Sequence, residues 1–355
     1  MKVQTGGRRM LMNLVKFKIY KLHFTAPLHI GDKRDDASVS QKTIHSDTLH
    51  AALISCLAKV GKPVPEDGDL GCVISDLFPF YQEKENSEPT YFLPMPMQTT
   101  FPLLADPADA KKVKKVQWVD AKLYGKLLQG EKIFKGKKEE LSLIQASYMT
   151  EKNLPMDAKG SKDFVKSEVM QRVKIEDRTG KTPAMPYYVD RISFKDYSGL
   201  FFLVLGDSTQ LDEALQILEM EGIGTDRHVG YGFFKAVKEE KDFVIETPEN
   251  AHHQVSLSML IPESKEQLND LLNDDIAAYD FTRCGGWITT PPYITLRKNA
   301  IYAFLPGSVF HRTTNDYGLG RIVNLKPNNE IGGRRVDHPI WRNGKSIVLP
   351  IIINN

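Results

Sequence analysis

Four glycines, Gly222, Gly224, Gly230 and Gly232, lie within the segment GIGTDRHVGYGFF, with Asp226, Arg227 and His228 between them. Glycine has no Cβ, so a loop of this kind lets backbone N–H groups approach a phosphate closely. Arg227 adds a charged fork that matches phosphate oxygens. Asp226 is expected to orient the loop or Arg227. The segment is not a dinucleotide fingerprint, because Arg227 stands three residues after Gly224 and the cluster follows a helical pattern instead of a strand. It lacks the GK[ST] ending of a Walker A loop. A helix C-cap with a tight turn accounts for Gly222 and Gly224, but not for Gly230 and Gly232 in the strand expected over 229–239.

The elements around this loop alternate between strand and helix. Residues 14–24 alternate apolar and polar, with Val15, Phe17, Ile19, Leu22 and Phe24 marking a strand. Ser46 opens a helix with Leu49, Ala52, Leu53, Cys56, Leu57 and Val60 on one stripe. Residues 63–100 read as irregular structure with short strands, and a helical piece lies near 119–129. The tract 151–167 is polar and reads as mobile. GLFFLVLGD (199–207) is a continuous apolar run, hence a buried strand. A helix follows, with Leu211, Ala214, Leu215 and Leu218 facing inward. Strand, helix, strand, then strand, helix, strand is a βαββαβ plan with a long insertion. Beyond a polar link at 246–253, strands at 255–261, 297–308 and 344–352 and a helix at 265–274 predict a second, smaller α+β domain.

Length and charge bound the function class. The chain has 355 residues, enough for two domains with their own cores. Hydrophobic content of 41% and charged content of 26% exclude disorder over the whole chain, collagen and membrane classes. Three widely spaced cysteines, Cys56, Cys72 and Cys284, form neither a disulfide framework nor a zinc knuckle, and a reducing cytoplasm is the expected compartment. No cofactor, metal or membrane span is expected. The net charge of +2 argues at first against a nucleic-acid binder. It conceals opposed segments: residues 1–105 sum to +1, 106–185 to +6, 186–280 to −12 and 281–355 to +7. Two basic stretches flanking an acidic one are read either as a polyanion-binding surface with a separate protein-facing one, or as ordinary solvated faces.

The G-x-G-x-D-R-x-x-G-x-G pattern of residues 222–232 resembles the glycine-rich loop of the RAMP superfamily of CRISPR proteins. LHIGDKRDDASVSQKTIHSDTLHAAL (28–53) resembles the start of subunit four of the type III-A Csm effector complex. VKIEDRTGKTPAMPYYVDRISF (173–194) resembles that family's inserted hairpin, and PGSVF (306–310) and NGKSIVLPI (343–351) resemble its second domain. The Lys-rich stretch 106–150 carries no part of the resemblance. The implied fold is α+β: two ferredoxin-like (RRM-like) domains with a long inserted hairpin and a glycine-rich loop. The division is a flexible tail at 1–13, a first domain at 14–247 with insertions at 63–190, and a second at 248–355.

The resemblance also implies a non-catalytic RNA-binding subunit of antiviral defence. It would hold the repeat-derived 5′ tag of the CRISPR RNA and bridge the large polymerase-like Csm subunit to the backbone Cas-seven-like Csm subunit. Carried onto this chain, the RNA contacts are Gly222, Gly224, Arg227, His228, Gly230, Tyr231 and Gly232 of the loop. Gly31 and the Ser46, Asp47 and Thr48 turn follow, where a helix start offers N–H groups to a phosphate. Ser46 as an ordinary N-cap competes with that role. Arg178, Lys181, Tyr187 and Arg191 of the hairpin suit splayed bases and their phosphates, against the alternative of a solvated hairpin with its tyrosine packed on the domain. Arg283, Arg321, Arg334 and Arg335 of the basic tail are further candidates. The enzyme alternative is a metal-independent ribonuclease that processes CRISPR repeat RNA, with His29, His45, His50 or His228 as its acid or base.

Overall fold

A computed structural model describes residues 12–33, 36–97, 114–131, 142–145, 147–152, 154, 163–174, 185–328 and 335–353. The first strand, Met12–Phe24, runs through the middle of the main sheet. Period-two alternation gives it two buried faces. Tyr20 and Leu22 face helices α1 (Ser46–Lys59) and α3 (Thr209–Glu221), while Phe17 and Ile19 face α2 (Ala121–Leu128) and the C-terminal half. Its neighbour Gly199–Gly206 repeats the pattern, with Leu200, Phe202 and Val204 on one side and Phe201 and Leu203 on the other. Both sides of that strand are covered, which explains its unbroken apolar run.

Four antiparallel neighbours stand in the order Phe234–Lys238, Met12–Phe24, Gly199–Gly206 and Phe78–Tyr81. In chain order, α1 follows the Met12–Phe24 strand and α3 follows the Gly199–Gly206 strand. The sheet continues through Thr90–Pro94, Trp118–Asp120, Tyr148–Thr150 and Ser142–Ile144. Phe78–Tyr81 lies inside the stretch read as an insertion, yet it belongs to the central four strands. Met12 and Asn13, expected in the tail, pair with Pro248 and Thr247. The strand expected over 229–239 begins only at Phe234, because residues 222–233 are loop and one turn of 3-10 helix.

In the C-terminal half, Val309–His311, His253–Ser256, Ser346–Ile351 and Gly318–Leu319 form a second antiparallel sheet. Val255, Leu257, Val309, Ile347, Leu349 and Ile351 press its inner face onto the main sheet. Among the described residues from 248 onward there is one α-helix, α4 (Lys265–Leu271), so this half does not repeat the two-helix plan of the first. Among the described residues no helix is long and apolar enough to cross a membrane.

The two halves are tied by buried polar groups. Asp76 accepts from the Ser46 N–H at 2.8 Å and from the Met259 N–H at 3.3 Å, while His45 Nδ1 donates to its other oxygen at 2.6 Å. Asp47 pairs with Arg342 of the Trp341–Asn343 strand. His50, one turn on, donates from Nε2 to the Gly68 carbonyl at 2.8 Å. Burial pulls the His50 pKa down to about 4, so its ring stays neutral in the fold. The unfolded chain, with an ordinary pKa near 6.5, takes up the proton first. Stability is therefore lost as the pH falls from about 6.5 to about 4, by about 3 kcal/mol from this group alone. Urea unfolding at pH 7 and pH 4.5 should show a smaller acid loss for His50→Gln than for the wild type. Equal losses would contradict this account.

Candidate nucleic-acid interface

Helix α3 buries Leu211, Ala214, Leu215 and Leu218 and ends at Gly222, whose N–H bonds to the Leu218 carbonyl. The loop then folds back on itself and on the segment after the first strand. Ile223 N–H donates to the Gly232 carbonyl at 2.9 Å, Gly232 N–H to Pro27 at 2.8 Å, and Thr225 N–H to His29 at 3.0 Å. These contacts leave no room for side chains at two positions. A Cβ on Gly232 would lie 1.9 Å from the Ile223 oxygen, and one on Gly224 would lie 2.5 Å from the His29 oxygen. Both residues also have positive φ, +73° and +95°. The close packing pushes Arg227, His228 and Gly230 outward into solvent. The backbone N–H groups of Gly224, Asp226, Arg227 and His228 find no protein acceptor among the described residues. They are available to an anion.

A long hairpin, Val165–Lys174 with Met185–Phe194, rises beside this loop. Cross-strand register sets Arg172 against Tyr187 and Glu168 against Arg191. The Arg172 guanidinium donates to Asp226 at 3.0 Å and lies 4.7 Å over the Tyr231 ring. Partial burial works against its charge, but Tyr187, Tyr231 and Asp226 outweigh that and hold its pKa above the usual value. Arg191 donates from Nε to Glu168 at 3.0 Å, and that carboxylate lifts its pKa. Arg227 reaches Glu221 at 3.5 Å and the Gly222 carbonyl at 3.4 Å. Asp226 therefore holds Arg172 and not Arg227. Arg172 and Arg191 both interact with Tyr231, Arg227 stands on the same loop against Glu221, and each of the three is paired with a partly exposed carboxylate. Such pairs are worth at most about 1 kcal/mol, so a phosphate can displace the carboxylate.

The hairpin base is fixed by one buried carboxylate. Asp190 accepts from the Ser40 N–H at 3.0 Å and the Ser167 hydroxyl at 2.7 Å. Its backbone carbonyl accepts from the buried His29 ring at 2.6 Å, and Leu28 bridges to Ile192. His29 is thus committed to holding the hairpin. Gly31 pairs with Ser40 in the short ribbon beside it.

The expected residues divide clearly. Gly224, Arg227, His228, Gly230, Tyr187 and Arg191 lie on the loop and the adjoining hairpin, whereas Gly222, Tyr231 and Gly232 are buried in the loop with their N–H groups bonded to Leu218, Asp226 and Pro27. Arg178 and Lys181 lie outside the described residues. Ser46 and Asp47 are a correction. Both are buried, and the helix start that was to meet a phosphate is already occupied by Asp76, with the Thr48 N–H turned to the His45 carbonyl. Ser46 is the first helical residue and His45 the cap. His45 and His50 serve the same joint, and only His228 of the four histidines is exposed on the loop. Arg172 was missed. Its opposition to Tyr187 was the available signal, but its pairing with Asp226 spans 54 positions.

Residues 249–351 match the family model for the CRISPR Csm4 C-terminal domain. A Csm4 protein of Methanocaldococcus jannaschii is 22% identical, the match covering 95% of this chain and 97% of that protein. The fold is also that of two solved assemblies. A chain of the Csm3-Csm4 subcomplex of a type III-A CRISPR-Cas interference complex superposes with TM-score 0.58 at 19% identity, covering 94% of this chain and 99% of the other. A chain of a Csm1-Csm4 cassette in complex with cA4 gives 0.54 at 18% identity, covering 96% and 100%. Residues 249–351 thus match a Csm4 C-terminal domain, and nearly the whole chain is similar to Csm4 proteins of type III CRISPR complexes.

Proposed function

We propose that this chain is a non-catalytic RNA-binding subunit of a type III-A CRISPR ribonucleoprotein, holding the repeat-derived 5′ tag of the CRISPR RNA. The observation that carries the reading is a loop with unpaired N–H groups that bears Arg227 and lies beside a hairpin bearing Arg172 and Arg191. Backbone donors and bidentate forks suit phosphates, and Tyr187 gives an exposed ring for an unstacked base. The four-strand order and its two helices support a ferredoxin-like plan for the first domain. Because solved relatives were assembled with Csm3 and with Csm1, we assign this chain the bridge between a backbone subunit and the large subunit.

The test replaces Arg172, Arg191 and Arg227 together by Ala in the assembled complex. Loss of three charge-assisted contacts is expected to reduce retained CRISPR RNA at least tenfold at physiological salt, with the unfolding midpoint of the isolated chain little changed. Wild-type RNA content would overturn the proposal.

A further inference from the structure

A second surface of different chemistry lies in the C-terminal half. The ribbon Phe281–Cys284 with Ile301–Phe304 is amphipathic across its thickness. Cys284 and Ala303 face inward onto Met259 and Ile261. On the other side Phe281 is 55% exposed and Tyr302 is 60% exposed. Their rings meet edge to face at 5.7 Å, and Tyr302 stands directly opposite Arg283 in the register. Further along the same ribbon, Trp287 bridges to Arg297, whose guanidinium lies 4.8 Å over the indole. Aromatic side chains this exposed leave more than half of their apolar surface in water.

The charges beside these rings distinguish the surface from the glycine-loop face. There each arginine has a carboxylate; here neither Arg283 nor Arg297 has an ion-pair partner among the described residues. The adjacent carboxylate, Asp280, is turned back onto the Phe281 N–H at 2.8 Å. Residues 281–355 hold ten basic and three acidic side chains. A neutral protein surface pressed onto the rings would bury two unpaired guanidinium groups, which is costly. A nucleic-acid strand brings one phosphate with every base, and its bases stack on sheet-borne aromatic rings.

We infer that the Phe281, Arg283 and Tyr302 face of this ribbon is a stacking platform for single-stranded nucleic acid, extended by Trp287 and Arg297. It is separate from the glycine-loop reading and stands without it. The test uses the full-length chain carrying Arg172→Ala, Arg191→Ala and Arg227→Ala, so that the first surface does not contribute. A fluorescently tagged oligouridine 15-mer is titrated by anisotropy, alongside a duplex of equal length. The single strand is expected to bind at least tenfold more tightly than the duplex. Phe281→Leu with Tyr302→Leu, which keeps an apolar surface and removes the rings, should weaken it at least tenfold. Arg283→Ala with Arg297→Ala should flatten the salt dependence by one to two counterions, written as a slope change of about 1–2. Unchanged affinity in the leucine variant, or equal binding of the duplex, overturns the inference. Full RNA binding with lost copurification of the other complex subunits also overturns it, and makes the face a protein interface.

Discussion

Asp47→Ala is expected to destabilise the protein by about 3–5 kcal/mol, the range for stripping one partner from a buried ion pair. Asp47 is 3% exposed, and the Arg342 side chain that it pairs with is 14% exposed. Burial already pulls the Arg342 pKa down to about 10, yet the group is still charged at neutral pH. Without Asp47 that charge is left facing the interior. Against a total stability of about 5–15 kcal/mol, the loss is severe. The double variant Asp47→Leu with Arg342→Met should recover most of it, since apolar replacement of a whole buried pair is often neutral. Urea midpoints at constant slope provide the check. A loss below about 1 kcal/mol for Asp47→Ala, or no recovery in the double variant, contradicts this account.

Gly232→Ala should be the most damaging substitution in the glycine loop. Its Cβ would lie 1.9 Å from the Ile223 oxygen, a backbone atom that cannot swing aside, and its φ of +73° adds left-handed strain. The strain alone costs about 1–2 kcal/mol, and parting the Ile223–Gly232 contact brings the expected total to about 3 kcal/mol. Gly230→Ala is the control within the same loop. It has φ +94° but nothing within 4 Å of its Cβ, so only the strain of about 1–2 kcal/mol applies. RNA retention should fall with Gly232→Ala and survive Gly230→Ala. Equal stability costs for the two would show that the loop is not held by the backbone contacts described here.

Local pattern carried much of this structure. The alternation at 14–24, the apolar run at 199–206 and the stripe from Leu211 to Leu218 each specify an element through its own residues. The glycine spacing pointed to the loop because close backbone approach is a demand on residue type. What stayed hidden depends on distant partners. Nothing near Asp76 in the chain announces that it will accept from Ser46 and Met259, and that arrangement closes the helix start to a phosphate. Arg342 is unremarkable until it meets Asp47.

Charge along the chain also differs from charge in space. The acidic stretch 186–280 gives up part of its charge to bases from elsewhere: Lys59 to Glu221, Lys62 to Glu213, and Arg172 to Asp226. Folding thus sets part of that acidic charge against bases from other segments. The basic 281–355 stretch keeps Arg283 and Arg297 without ion-pair partners among the described residues.

The central claim is that the loop and hairpin arginines hold the 5′ tag of the CRISPR RNA. Its most direct test is end-sequencing of the RNA retained by the assembled complex that carries Arg172→Ala, Arg191→Ala and Arg227→Ala. The account predicts that tag-bearing 5′ ends are depleted at least tenfold relative to wild type, with the protein subunits still present in wild-type ratio. Tag-bearing ends recovered at the wild-type level from that variant complex would contradict it.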